Sequence, residues 1–343
     1  MRTALIKLAI PGLLLAAGFG QSPDRTFYLT QPATPQDLAS MATMIRTVAD
    51  VQAVSVDQAH NALVANGTAG QMALTEWLVH ELDQPVGQTP APATPEYRMA
   101  GENGDVVRVF RMDPSATQAD LTAVVTAIRT TTDSQRMFPY YPQRAVVARS
   151  SVDRVDAAEW LFHQLSPPAG QTPSEDSPAY HPVAFQHEDN PVMRVFRLDP
   201  NTSNQTLTGL VTAIRTTVDV QRVFPYEAAK AVAIRGDAGR VAGAEWIIHE
   251  LRKPADAAQL AARHEYQMPN YIDGGTNDVV RVFYLTYRES AQDLSTLTTQ
   301  IRTTALVQRI FPLVERHAIV LRGRPDQMPA TEALVAKFDA AGR

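Results

Sequence analysis

"IRTTVDVQRVFPY" runs from Ile214 to Tyr226, and the chain writes it more than once. "IRTTTDSQRMFPY" occupies Ile128 to Tyr140, "IRTTALVQRIFPL" occupies Ile301 to Leu313, and a faded "IRTVADVQAVSVD" occupies Ile45 to Asp57. The arginine of this stretch recurs at Arg46, Arg129, Arg215 and Arg302, spaced by 83, 86 and 87 residues. A second landmark follows each time: "TEWLVHEL" from Thr75, "AEWLFHQL" from Ala158, "AEWIIHEL" from Ala244 and "TEALVAKF" from Thr331. From the arginine to the glutamate of that block the offset is 30 residues in every copy. Constant inner offsets with variable outer spacing describe rigid units on adjustable linkers, so the 343 residues divide into four repeats.

Within a unit, the periods of the apolar residues separate strands from helices. In the third copy "MRVFRL" is an extended run. "NQTLTGLVTAIRTTVD" then places Leu207, Leu210, Val211 and Ile214 on one helical face. Two short strand-like runs follow, "QRVFPY" and "KAVAIRG", and "DAGRVAGAEWIIHEL" reads as a second helix. The fold class expected is α+β: four tandem β-α-β-β-α modules, each a three-stranded sheet with two helices on one face. The expected boundaries are 24–84, 105–166, 192–253 and 278–341 for the repeats, with linkers at 85–104, 167–191 and 254–277 rich in Pro, Ala and small polar residues.

Residues 1–20 read as a secretory signal, with Arg2 and Lys7 ahead of the short apolar run "LAIPGLLLAAGFG". That run is too short for a comfortable membrane span, so no stable span is expected after cleavage. The chain has no cysteine, which excludes disulfides, thiolate metal sites and a cysteine nucleophile. A net charge of −5, with no clustering of lysine and arginine, argues against nucleic acid. A periplasmic or secreted protein is the expectation.

The order of elements, closing in "AVAIRGDAGRVAGAEWIIHEL", resembles the periplasmic N-terminal modules of bacterial secretins. "HELD" at His80 to Asp83 matches their helix ending, whereas "HQLS" and "HELR" depart from it. The resemblance covers most of residues 26–343 and lacks the C-terminal barrel domain of secretins. It implies an assembly or interaction module. Pore formation does not carry over.

Four tandem copies of one catalytic site would be odd, and no triad or paired-carboxylate logic appears, so a non-enzymatic protein without cofactor or metal is expected. The recurring Arg46, Arg129, Arg215 and Arg302 are expected to bridge to Glu76, Glu159, Glu245 and Glu332 on the second helix of each unit. His80, His163 and His249 recur singly, too few for zinc, and read as solvated helix-face residues. "RGD" at Arg235 to Asp237 reads as a helix-entry turn with Asp237 as cap.

Trp77, Trp160 and Trp246 share one position, replaced by Ala333 in the last unit; Arg136, Arg222 and Arg309 with Phe138, Phe224 and Phe311 share another, replaced by Ala53 and Ser55 in the first. Trp246 lies roughly 200° from Ala244 around the helix, away from the stripe covering its own sheet. The last unit has no successor and the first no predecessor, so this distribution predicts a head-to-tail interface of Trp on the next unit's Arg/Phe-Pro patch. The partners expected are envelope proteins or further copies of the chain, in a secretion or pilus system. A carbohydrate- or peptidoglycan-binding protein with tryptophan platforms is the alternative.

Overall fold

The computed structural model describes residues 24–85, 94–100, 104–167, 170–183, 185, 190–253, 264–270, 277–287 and 290–342. The expected signal, residues 1–20, lies outside the described residues. Unit one contains β1 (Arg25–Tyr28), α1 (Pro35–Val48), β2 (Ala53–Asp57), β3 (Ala62–Asn66) and α2 (Ala69–Leu82). Unit two contains β4 (Glu96–Arg98), β5 (Asp105–Arg111), α3 (Gln118–Thr132), β6 (Met137–Tyr140), β7 (Ala145–Ser151) and α4 (Val152–Leu165). Unit three contains β8 (Pro191–Arg197), α5 (Asn204–Thr217), β9 (Arg222–Tyr226), β10 (Ala231–Asp237) and α6 (Ala238–Arg252). Unit four contains β11 (His264–Gln267), β12 (Val279–Tyr284), α7 (Ala291–Gln300), β13 (Arg309–Leu313), β14 (Ala318–Gly323) and α8 (Met328–Ala340). The repeated β-α-β-β-α order is as the sequence leads one to expect, and the class is α+β.

Local chemistry starts and stops the helices. Thr34 with Asp37, Thr117 with Asp120 and Thr68 with Gln71 form reciprocal caps, satisfying first-turn N–H groups that have no intrahelical acceptor. Asp237 of the "RGD" turn accepts from the N–H groups of Gly239 and Arg240, so it caps α6. The first helix of each unit ends before a left-handed residue: Asp50 (φ 60°), Asp133 (φ 52°), Asp219 (φ 60°) and Leu306 (φ 57°). Aspartate tolerates that region through local hydrogen bonding, and leucine does not. Leu306 is also 66% exposed. Both facts acquire a reason at the unit junctions.

The sheets are antiparallel, ordered β1-β3-β2, β4-β5-β7-β6, β8-β10-β9 and β11-β12-β14-β13. Two linkers therefore do more than space the units. Residues from 85–104 and 254–277 supply β4 and β11 as fourth strands, and in unit three Asp176 and Tyr180 bridge to Phe196 and Met193 on the same edge. Added strands pair main-chain groups that would otherwise be left unsatisfied at the edge of a buried sheet.

Four apolar cores are distinct, yet three of them reach past their own unit. The core of unit one takes in Val107, Val109, Tyr140, Ala145 and Val147 of unit two. Unit two's core takes in Val195, Tyr226, Ala231 and Ala233 of unit three, and unit three's takes in Val280, Val282, Leu313, Ala318 and Val320 of unit four. In units one to three the helix pair thus lies between its own sheet and the next unit's sheet, so the modules stack. Close approach needs small residues. A Cβ on Gly209 of α5 would stand 3.2 Å from Leu313 Cδ2 of β13, and one on Gly243 of α6 would stand 3.0 Å from Met268 Sδ.

Candidate functional site at the unit junctions

At every junction the first helix of one unit covers the Phe-Pro strand of the next: α1 on β6, α3 on β9, α5 on β13. Phe138, Phe224 and Phe311 pack, half-buried, into the core of the preceding unit. Beside them lies an ion pair that spans the junction. Arg136 meets Asp50 at 3.3 Å, Arg222 meets Asp133 at 2.9 Å, and Arg309 lies 3.9 Å from Asp219. A second arginine one strand inward joins it. Arg149 donates to the Val48 carbonyl at 2.8 Å, and Arg235 reaches Asp133 at 2.7 Å with its side chain 2% exposed. A cation at the C-terminal end of a helix is favoured by the helix dipole as well as by the carboxylate. Burial pushes the Asp219 carboxyl up, but Arg240, Gln221 and Arg309 outweigh it and hold the group below its ordinary value.

These partners explain the substitutions inside the opening stretch. The aspartate is present in units one to three and becomes Leu306 in unit four; the arginine is present in units two to four and becomes Ala53 in unit one. The aspartate and the arginine are thus each kept where a described neighbouring unit supplies the partner. The aspartate half of this pattern went unread in the sequence, although it sits within the same thirteen residues. Unit four also turns polar on its uncovered helix face: Gln300 and Thr304 are exposed where Ala213 and Thr217 are fully buried.

The tryptophans cross the junctions by another route. Trp160 stacks on Tyr180 and Trp246 on Tyr266, with ring centroids 5.1 and 5.8 Å apart, and Trp77 meets Tyr97 at 5.6 Å with the rings tilted by 44°. Each tyrosine belongs to the linker segment on the edge of the next unit's sheet. The expected contact of Trp with the Arg/Phe-Pro patch is therefore replaced by Trp on Tyr. The physical reason is sheet order. In unit two, β4 and β6 are opposite edges with two strands between them, so their contacts fall roughly 14 Å apart at ~4.8 Å per strand. The second helix covers one edge and the first helix the other.

The expected bridge between the first-helix arginine and the second-helix glutamate is also corrected. Arg46, Arg129, Arg215 and Arg302 donate instead to the carbonyls of Val54, Met137, Val223 and Ile310, each eight residues on, the last two at 2.7 and 3.1 Å. Those carbonyls lie on the outermost strand, where the ladder offers no partner on the free side. Glu76, Glu159, Glu245 and Glu332 pair with a different arginine, on the first strand of the repeat: Arg25 (2.9 Å), Arg108 (2.6 Å), Arg194 (2.6 Å) and Arg281. Those four share an Arg-x-Phe pattern across all units, a legible signal that the sequence reading passed over. His163 and Thr94, with Arg108, hold the Glu159 carboxyl down at about 2 against the opposing effect of burial. Its folded value lies below the unfolded one, so its contribution is present above about pH 4.5 and is lost as pH falls toward 2. Glu159→Gln should flatten the acid limb of the stability–pH curve in that window by about 1 kcal/mol after solvent screening, leaving stability at pH 7 lower by the same amount. Urea unfolding across pH 2–7 measures it.

His249 is hydrogen-bonded, not merely solvated: its Nε2 lies 2.6 Å from Asp176 Oδ2. Asp176, Glu245 and His249 offer ligand atoms within 4.8 Å of one another. Arg252 and Arg194 already pair with the two carboxylates, at 2.8 and 2.6 Å, and oppose a cation there.

No family model and no curated protein matches the chain. Among solved structures it is similar to secretins. In a pilotin–secretin AspS–GspD complex of ETEC the likeness covers 69% of this chain and 38% of the secretin, at 14% identity and a TM-score of 0.17. For the N-terminal domain of the secretin XcpQ from Pseudomonas aeruginosa it covers 46% and 62%, at 16% identity and 0.19. For the XcpQN012 structure it covers 72% and 100%, at 14% identity and 0.24. The chain resembles secretin N-terminal domains. It spans well under half the length of the first of these chains. Among the described residues no helix is long and apolar enough to cross a membrane.

Proposed function

We propose that the chain is an exported, non-enzymatic assembly module of the cell envelope that binds envelope proteins, in the manner of the periplasmic part of a secretion system. One observation supports this most directly: the arginine and glutamate that recur in every unit hold its strands and helices together, and the junction aspartates and arginines hold neighbouring units together. The tryptophan-platform alternative is less well supported, because each indole already packs against a tyrosine.

A binding mode follows from unit one. Its sheet has β2 at one edge and β1 at the other, with no added strand on β1 among the described residues. In units two to four the corresponding edge strand carries Pro139, Pro225 or Pro312, which removes an N–H and discourages pairing. In unit one Val56 stands at that position, so β2 keeps its N–H and can accept an added strand. Loss of Phe-Pro in the first copy thus opens an edge. Val56→Pro should leave the melting temperature within ~2 °C, because proline fits there in the other units, and should reduce retention of envelope proteins on the immobilised protein at least fivefold. No retained protein from detergent-solubilised envelopes, or retention indifferent to the proline, rejects the reading.

A further inference from the structure

One hydrogen bond recurs at every junction and leaves a donor over. Counted from the arginine of the Arg-x-Phe pattern, the fourth residue of a unit's first strand reaches back to the second helix of the preceding unit. Arg111 donates to the Glu81 carbonyl at 2.8 Å, Arg197 to the Gln164 carbonyl, and the Tyr284 hydroxyl to the Glu250 carbonyl at 3.3 Å. Tyr28 holds this place in unit one and is 67% exposed, whereas Tyr284 is 8% exposed. The matching carbonyl in unit four is that of Lys337, in the last turn of α8. It takes one backbone N–H at 3.3 Å, as the Glu250 carbonyl does, and a carbonyl has a second lone pair. Unit one thus carries a junction donor, and unit four a junction acceptor, on faces that no described unit covers.

The other junction positions change on both faces together. Asp219 lies 3.9 Å from Arg309, and a Cβ on Gly209 would stand 3.2 Å from Leu313. The first helix of one unit therefore runs antiparallel to the next unit's Phe-Pro strand, with Ala213 and Phe311 between those two contacts. Carried to unit four of one copy and unit one of another, this register sets Leu306 on Ala53 and Gln300 on Ser55. An ion pair becomes an apolar pair, and a small residue on phenylalanine becomes a long one on serine. Asn66 stands where the other units have the inner Arg149, Arg235 and Arg322. The aspartate and both arginines of the internal junctions are thus absent from the two outer faces, so closure buries none of them unpaired. A face built to stay solitary would keep a charge there, and has no use for a leucine 66% exposed at φ 57°. The same register brings Asp57 toward Asp293, since Asp120 acts on Tyr226 at the matching places. That repulsion, lessened by His60 at 2.8 Å from Asp57, keeps the contact weak.

We propose that copies of this chain associate end to end, unit four of one on the outer sheet face of unit one of the next, with Tyr28 donating to the Lys337 carbonyl and Leu306 seated on Ala53. The contact is heterologous, so it continues into an open series. It goes beyond the envelope-binding reading and does not depend on it. Sedimentation velocity of the purified chain from about 1 to about 500 μM should show a weight-average mass that rises past the dimer. Ala53→Arg, which restores the residue of the other three units, buries a cation against Leu306 and should weaken association at least tenfold with melting unchanged. Adding Leu306→Asp rebuilds the internal ion pair and should return association to within about threefold of the native chain. Tyr28→Phe should weaken it severalfold, and Asp57→Asn should strengthen it. A monomer throughout, growth that stops at a dimer, indifference to Ala53→Arg, or a double variant no better than the single each overturns the proposal. Envelope retention is read separately on immobilised protein, so failure of self-association leaves that reading standing.

Discussion

Replacing Ala213 with glutamine is expected to release unit four from unit three. Ala213 is fully buried in α5, one helical turn after Gly209, which faces Leu313 of unit four across 3.2 Å. A longer polar side chain there must displace β13 and bury an amide without a partner, at a cost of about 2–4 kcal/mol. At the same position unit four carries Gln300, which is exposed. Ala213→Gln should therefore split thermal unfolding, followed by calorimetry, into two transitions, with unit four melting first. Gln300→Ala should change stability by less than about 0.5 kcal/mol. A single transition at the original temperature would refute the stacked arrangement.

The second large effect belongs to Asp133. Its carboxylate serves Arg222 and the buried Arg235, the latter at 2.7 Å. Asp133→Ala removes a carboxylate partner of a guanidinium that is 2% exposed and places alanine at φ 52°. Breaking a buried ion pair costs about 3–5 kcal/mol, and the left-handed backbone adds about 1 kcal/mol. Asp50→Ala should cost far less, about 1–2 kcal/mol, since Arg136 is 46% exposed and the inner Arg149 bonds to the Val48 carbonyl instead. Denaturant unfolding of both variants measures the contrast. Equal losses would mean that burial of the second arginine does not set the strength of the junction.

Much of this was legible in the repeats. Element order and the positions of the helices followed from period, and the missing partners in the first and last copies announced a head-to-tail stack. Which residues meet was harder to read. Trp246 and Phe311 both point out of their own units, but only the strand order puts them on opposite edges of one sheet. Arg215 and Glu245 recur together at a constant offset because each serves a structural need in every unit, not because they touch. The runs "AVVA", "AVAI" and "AIVL" in β7, β10 and β14 are buried on both faces, whereas in the corresponding "ALVA" of β3 in unit one Val64 is only part-buried.

The chain's own residues determined the repeat, the local elements and the identity of its two ends, because periodicity, caps and left-handed turns depend on neighbours a few positions away. Tertiary structure alone decided the pairings across junctions and the recruitment of linkers as edge strands. Those depend on which faces come within a few ångströms after roughly 85 residues of intervening chain, and no local preference carries that distance.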